Sequence, residues 1–412
     1  MLKGAKRVDA GLKILVLTHR PLYPPIYGYS RVIIDTYSAI AEKNHQVCII
    51  SITPKKKGLS MDFNGVKYII LREPFNTFLK LGTTRVLLRL SKGELLFYHL
   101  LLLTREYASK KITHSIMKIT KEYLGKPDII VAETIYPGLL AEKLAKKIGA
   151  KYIVRIHNIE AFYISSMTRY FKKTAKNTIS TLEERILNKA NRVYALSYID
   201  SITIQKLYNI NAVYMPPIII IEENEQKEIL EKLGVKKNRY YLFIASPHKP
   251  NIFFLKKIIE CWRNLRIQGY KLVIGGSISP IAERLLSRHN RDNIVVTGLL
   301  SREAISTLIK NAYAYIAPHH GSGVPIKLVE ALQLGAPSIT TANALQTIKG
   351  LKNKDNIYAI NELNELCQAI KTLAKDENLY KKIKKGAKEF SKNLDYRKIT
   401  DKFIKELLSI AH

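Results

Sequence analysis

The chain is short of acid. Its 412 residues hold 34 Asp and Glu against 67 Lys and Arg, giving a formal net charge of +33 and a pI near 9.8. That deficit turns the surface toward anionic partners: acidic lipid headgroups, nucleic acid or phosphorylated substrates. An abundance of Lys, Ile, Asn and Tyr is also what an AT-rich genome yields without any selected partner. Cysteine is scarce. Cys48, Cys261 and Cys367 are far apart, odd in number and in no C-x-x-C. This argues against a disulfide framework or a zinc ribbon and fits a reducing cytosol. Long apolar runs are missing too. "LKILVL" near the start is too short for a signal-peptide core. "LLFYHLLLLT" (95–104) falls below the ~18 apolar residues that a span requires. No segment is expected to cross a membrane. No G-x-S-x-G, P-loop or zinc-deaminase pattern occurs. His319 and His320 adjoin, but no third ligand is spaced for a metal.

What is present is alternation. Short β-branched runs punctuate helical patterns: "KILVLT" (13–18), "QVCIIS" (46–51), "KYIIL" (67–71), "DIIVAET" (128–134), "YIVRIHN" (152–158) and "RVYALS" (192–197), with "NAVYMPP" (211–217) as a last strand or a linker. A second series follows: "YYLFIAS" (240–246), "YKLVIGG" (270–276), "DNIVVTG" (292–298), "AYAYIAP" (312–318) and "APSITT" (336–341). Most of these runs are apolar nearly throughout, as parallel strands buried on both faces are. The predicted fold class is α/β, with two doubly wound, Rossmann-like parallel-sheet domains. They are expected over residues 1–215 and 216–396, with 397–412 as a closing helix that docks back on the first. Residues 80–124 break the alternation and read as one or two basic amphipathic helices, suited either to an anionic bilayer or to a packed position with a solvated face. Residues 1–215 hold 35 Lys and Arg against 15 Asp and Glu, so the positive surface is heavier in the first half.

Two strand-to-helix junctions of the second half look alike: "FIASPHKPNIFFLKK" (243–257) and "YIAPHHGSGVPIKLVEAL" (315–332). In each the strand ends in Ile-Ala, the loop holds Pro-His and the next helix starts near a proline, which suits a first turn because its missing N–H would be unpaired there. Such helix starts open at the C-terminal edge of the sheet, where free N–H groups and the positive end of the dipole favour an anion. Lys327, in a first turn, sits badly with that dipole unless an anion is near. Lys327 and Glu330 are i and i+3 on one face. A ligand with phosphates and vicinal hydroxyls would use both: the lysine and helix start for a diphosphate, the carboxylate for ribose hydroxyls. A surface salt bridge between the two, worth tenths of a kcal/mol, is the plainer alternative.

Residues 318–337 resemble the donor-site segment of GT-B glycosyltransferases, in the retaining class called family 4 (glycosyl transferases group 1). The pattern there is Glu-x7-Glu, with Gly after the first Glu and Gly-x-Pro closing the helix. Glu330 matches the second glutamate, Gly323 the glycine, and Gly335 and Pro337 the closing turn, while Ser322 stands where the first glutamate is expected. A Gly-Ser-Gly…Lys…Glu-Ala variant occurs within the family, and this chain is similar to it. "PLYPPIYGYSRVIIDTYSAIAEKNHQVCII" (21–50) resembles the family's opening, with Gly28 in the loop that approaches the donor phosphates. "RIHNIEAFY" (155–163) resembles the segment whose histidine, here His157, faces the donor sugar. "SPHKPN" (246–251) resembles the first loop of the donor domain, with Lys249 as the basic residue on the diphosphate and His248 beside it; "TGLLS" (297–301), with Gly298 and Leu299, sits where the nucleobase packs.

The resemblance implies two domains facing a cleft and transfer of a sugar, with retention of configuration, from a UDP- or GDP-sugar to a saccharide acceptor, read as lipid-linked, in surface polysaccharide or protein glycosylation. The implied catalytic residues are His157, Lys249, Lys327 and Glu330. The implied donor contacts are Gly28, His248, Gly298, Leu299, His320, Gly321, Ser322, Gly323 and Val324. No cofactor and no metal are expected: there is no Asp-x-Asp of the kind metal-dependent GT-A transferases use, and positive loops and helix ends would take that place. An anionic membrane surface is the expected partner, with no specific nucleic acid, and the expected location is cytoplasmic, peripheral at the inner face of the cell membrane. A GT-B nucleotide-sugar epimerase and a non-catalytic basic binding protein are the competing readings.

Overall fold

The computed structural model describes residues 11–25, 28–53, 58–72, 110–168, 172–222, 224–265, 267–287, 293–321 and 323–411. The chain divides into two compact units, Met1–Ile219 with Arg397–His412, and Ile220–Tyr396.

The first unit holds β1 (Lys13–Thr18), β2 (Gln46–Thr53), β3 (Leu59–Phe63), β4 (Val66–Arg72), β5 (Ile129–Glu133), β6 (Lys151–Ile156), β7 (Arg192–Ala195) and β8 (Ala212–Tyr214). Among the described residues these form one sheet in the order β3-β4-β2-β1-β5-β6-β7-β8. All neighbours are parallel except β3 and β4, an antiparallel hairpin. Its two-residue turn is Asn64-Gly65, with φ of 46° and 74°. That dipeptide suits the positive-φ turn whose twist matches paired strands. The periodicity reading missed β3 because its residues are largely exposed and polar on alternate positions. "NAVYMPP" resolves as the edge strand β8 followed by chain without regular secondary structure.

The strands are apolar throughout because helices cover both faces of the sheet; Ile14, Leu15, Val16 and Leu17 of β1 are all fully buried. The last helix, Tyr396–Ala411, packs back on this unit, as its apolar spacing suggested. Phe403 is its anchor: the ring lies 5.3 Å from the Arg155 guanidinium and edge-on to Tyr194 at 5.1 Å. Burying such a ring stabilises by about 1.5–3 kcal/mol. Of the basic stretch 80–124, residues 80–109 lie outside the described residues. The helix Lys110–Tyr123 buries Ile112, Thr113, Ile116 and Thr120 and exposes Lys110, Lys111, Lys118 and Lys121. Among the described residues no helix is long and apolar enough to cross a membrane.

The second unit holds β9 (Tyr240–Ile244), β10 (Lys271–Gly275), β11 (Ile294–Val296), β12 (Ala314–Ile316), β13 (Ser338–Thr341) and β14 (Tyr358–Ile360). Its sheet is all parallel, in the order β11-β10-β9-β12-β13-β14. In chain order this reads 3-2-1-4-5-6, the order of dinucleotide-binding folds, and it reverses direction between β9 and β12.

One sequence expectation fails here. Cys261, on the helix Lys249–Leu265, and Cys367, on the helix Leu366–Lys375, form a disulfide with Cα atoms 5.0 Å apart. Their 106-residue separation hid the pairing, because two helices adjacent on one sheet face bring the thiols together. Cysteine usage therefore gives no argument for a reducing compartment. Cys48, in β2, is buried and free.

Candidate active site

In the second unit, the switch point lies between the C-terminal ends of β9 and β12, which pair through Tyr241–Ala314 and Leu242–Tyr315. The chain diverges there because the loop after β9 leads back under one half of the sheet and the loop after β12 under the other, leaving a crevice between them. Both similar junctions found in the sequence open at this point. After β9, the His248 amide donates to the Ser246 carbonyl at 2.8 Å, and the Asn251 side chain donates to the same oxygen at 2.9 Å. This small turn starts the helix at Lys249 and leaves His248, Lys249 and Pro250 exposed.

The loop after β12 is tied to the neighbouring strand end. The Thr340 hydroxyl donates to the Ala317 carbonyl at 2.7 Å, and Thr341 Oγ1 bridges the backbone of His319 by accepting from its N–H and donating to its carbonyl. Beyond these anchors Gly321 and Gly323 take φ of 109° and 84°, which side-chain-bearing residues rarely adopt. They turn the backbone into the helix Ile326–Gln333, whose N-cap, Pro325, makes no side-chain cap. Lys327 is in its first turn. Its ammonium lies 2.9 Å from the Glu330 carboxylate; Glu330 is 2% exposed and Lys327 39%. The pair is therefore neither fully buried nor a freely solvated surface bridge. The carboxylate is embedded and holds a partly exposed cation in the first turn of the helix. His320 and Gly321 are exposed and Val324 is half-buried; Ser322 lies outside the described residues. His319 is held lower than its ordinary pKa, at about 4, chiefly by burial.

Gly298, at φ 78°, follows β11, and its carbonyl accepts from the Gly276 amide at 2.9 Å. A side chain at Gly276 would meet the Ala245 carbonyl at 2.5 Å, so the ends of β9, β10 and β11 approach one another only through glycine. Leu299 next to them is 80% exposed, an apolar platform on a strand-end loop.

The first unit has its own switch point, between β1 and β5. Gly28 starts the helix Gly28–Ala41 and is exposed. His157 follows β6 and is nearly buried. Its Nε2 lies 2.7 Å from Glu133 Oε2. The other oxygen of Glu133 accepts from Tyr37 Oη at 2.5 Å and Arg155 Nη1 at 2.6 Å. Glu133 and Arg155 are register partners on β5 and β6 and are both fully buried. Burial pushes the Glu133 carboxyl up, but Arg155, His157 and Tyr37 outweigh it and hold it at about 2. Burial also draws His157 below its ordinary value, against the pull of Glu133.

Around this network lie the ends of three more segments. Tyr29 Oη shares a 2.7 Å hydrogen bond with Thr18 Oγ1, and its ring sits 4.7 Å from that of His157. Tyr136 donates to Glu160 at 2.6 Å. Thr134 adopts φ 76°, a strained conformation for a β-branched residue, with its hydroxyl 3.3 Å from His19 Nδ1. Glu133, Arg155 and Tyr37 were not among the sequence candidates. The available signal was a charged residue inside an otherwise apolar strand, in "IIVAE" and again in "YIVRI".

Residues 225–390 match the family described as glycosyl transferases group 1. An uncharacterized glycosyltransferase of Methanocaldococcus jannaschii is 23% identical over 277 residues, covering 66% of this chain and 72% of its own length. Among solved structures, sucrose-phosphate synthase from Thermosynechococcus elongatus superposes with a TM-score of 0.69 at 14% identity, covering 96% of this chain and 99% of that one. Anabaena HepE, solved in complex with UDP and glucose, superposes with a TM-score of 0.64 at 13% identity, covering 96% of this chain and 100% of that one. Both share this chain's two-unit GT-B fold.

Proposed function

We propose, from the premise that this chain is a GT-B glycosyltransferase whose residues 225–390 belong to glycosyl transferases group 1, that it moves a sugar from a nucleoside-diphosphate sugar to a saccharide acceptor with retention of configuration. One observation carries the donor assignment. Both Pro-His loops, with Lys249 and Lys327 at their helix starts, flank the single switch point of the second sheet. That HepE was solved with UDP and glucose supports a uridine or similar nucleotide in the donor.

The chemical task is to stabilise a leaving group. The bond between the anomeric carbon and the diphosphate oxygen breaks, and its electron pair stays on the diphosphate. Lys249, Lys327 and the N–H groups of the two helix starts meet that growing charge. Lys327 does so by turning from Glu330 to the phosphate. Glu330, released, accepts hydrogen bonds from the ribose hydroxyls. This explains a cation in a first helical turn: the embedded carboxylate holds it there until the anion arrives. Gly298 and Leu299 give the base an apolar rest, and the Gly321–Val324 backbone approaches the phosphates. His157 contacts the sugar; the acceptor hydroxyl oxygen bonds to the anomeric carbon on the face that the diphosphate leaves, and its proton passes to the leaving phosphate. Cationic loops take the role a divalent metal fills elsewhere.

The acceptor is read as lipid-linked because the helix Lys110–Tyr123 presents Lys110, Lys111, Lys118 and Lys121 on one exposed face, suited to an anionic bilayer. Co-sedimentation with phosphatidylglycerol vesicles but not phosphatidylcholine vesicles tests that part; equal absence from both pellets ends it. A thermal-shift screen against UDP-, GDP- and ADP-sugars tests the donor. Stabilisation by one nucleotide class is expected, and no shift with any of them contradicts the reading.

A further inference from the structure

Three donors converge on the two oxygens of one buried carboxylate, and they do not share it evenly. Tyr37 and Arg155 take Glu133 Oε1, while Oε2 is left to His157 Nε2 at 2.7 Å. Arg155 can only donate, and the ionised carboxylate can only accept. The proton between Glu133 and His157 therefore sits on Nε2. In the neutral ring the other nitrogen, Nδ1, then bears a lone pair, and among the described residues it has no hydrogen-bond partner.

We propose that Glu133 is a positioning residue that fixes His157 as the Nε2–H tautomer, so that the histidine meets the sugar through the Nδ1 lone pair and accepts a hydroxyl hydrogen bond. The role of His157 toward the sugar rests on the function proposed above; the state of its ring does not. A buried carboxylate behind an imidazole sets ring orientation and basicity in the same way wherever a histidine must present one chosen nitrogen. The construction is specific to strand register. Glu133 pairs with Arg155 across β5 and β6, and His157 lies two residues further along, so all three functions meet at one edge of the sheet. Arg155 adds rigidity: it is fully buried, donates to Thr36 Oγ1 at 3.2 Å and lies against the rings of Tyr37 and Phe403.

The other titratable and charged groups facing His157 come from every neighbouring segment. His19 and Arg20 follow β1, with the Arg20 guanidinium 5.8 Å from the Tyr29 ring. Tyr29 and Tyr37 come from the first helix; the Tyr136 ring lies 4.5 Å from the His19 ring, and its hydroxyl donates to Glu160. The Arg20 and Arg155 charges and burial disfavour a charged imidazole, and only Glu133 favours it. Burial above all, and these charges, favour the neutral ring that an acceptor requires.

The substitution that tests this is Glu133→Gln. Arg155 still demands an acceptor, so the glutamine must turn its carbonyl there and its NH2 toward His157. The ring then has to accept at Nε2 and carry its proton on Nδ1, which turns an acceptor into a donor at the sugar. Two measurements follow. In the 15N-histidine spectrum of the whole chain at neutral pH, with His157 assigned by its loss in His157→Gln, the proton is expected on Nε2; a proton on Nδ1 overturns the proposal without any reference to activity. In sugar transfer, Glu133→Gln is expected to lower kcat about 100-fold, with the donor KM changed less than threefold. The acid limb of its kcat/KM profile should move to lower pH, since the carboxylate that favours the protonated ring is gone. Glu133→Asp, which keeps the charge, should recover much of the rate. Unchanged kcat and an unmoved acid limb in a folded Glu133→Gln chain contradict the proposal. Absence of transfer by the wild-type chain would strike the functional reading instead, leaving the spectrum to decide the ring.

Discussion

The two switch points of this molecule are built in opposite ways. In the first unit, side chains do the positioning: Glu133, Arg155, Tyr37 and His157 are buried and bonded to one another at 2.5–2.7 Å. In the second, backbone does it. Positive-φ glycines and helix starts shape the loops, and the side chains of Lys249, His248 and His320 stand exposed. A buried network ties function to folding, because removing one member strands the rest. An open loop site separates the two, since an exposed lysine contributes little to stability. The first arrangement suits a group that must present one atom in one state. The second suits a large, flexible anion that brings its own charge and is released after each turnover.

The sharpest way to break the contrast is Arg155→Ala. It leaves the Glu133 charge buried without its partner and should cost about 3–5 kcal/mol of stability, read by chemical denaturation. A loss under 1 kcal/mol would mean the first site is no more integral to its fold than the second. Lys327→Ala comes next. It should lower kcat about 100-fold and, because its own end is 39% exposed while Arg155 is fully buried, cost less stability than Arg155→Ala in the same denaturation; a stability loss equal to that of Arg155→Ala would erase the distinction. Glu330→Ala should weaken donor binding about tenfold, the scale of a charge-assisted hydrogen bond, in a calorimetric titration with UDP; undiminished affinity removes Glu330 from the ribose.

The smallest effect is in pH. In the first unit burial raises Glu160 to about 7 and Glu183 to about 8, above the ordinary 4.5. Their contribution is fully present below pH 4.5 and is lost as pH rises through 7 and 8. Asp200, raised by burial to about 7, acts in the same direction. Glu133, at about 2, acts the other way, and its contribution is lost only as pH falls from 4.5 toward 2. In the second unit His319, at about 4, gives stability that is present above pH 6.5 and lost as pH falls toward 4. The sole tryptophan, Trp262, lies in the second unit. Melting followed by its fluorescence should therefore weaken on acidification. Melting followed by circular dichroism should show an added early transition above pH 7. One transition moving identically by both probes would show that the units do not respond separately.

The architecture was legible because buried parallel strands are written as unbroken apolar runs; β1, "KILVLT", was bounded to the residue. β3 was hidden by its exposed, polar residues, although Asn64-Gly65 was a usable hairpin signal, and β14 is only three residues long. The loop site was legible because glycine, proline and a misplaced lysine have local meaning. The Glu133 network was not, because its meaning lies in register: no spacing in the sequence sets residue 133 beside residue 155. The Cys261–Cys367 disulfide was missed for the same reason, being a fact of helix packing.

The central claim is that cationic loops and helix starts at the second switch point hold the donor diphosphate in place of a metal. Titration of UDP into the whole chain in EDTA, alongside Lys249→Ala and Lys327→Ala, tests it most directly. The account predicts binding by the wild-type chain without a divalent ion and affinity lowered at least about tenfold in each variant. Binding that returns only with Mg²⁺ or Mn²⁺, or equal affinity in all three proteins, would contradict it.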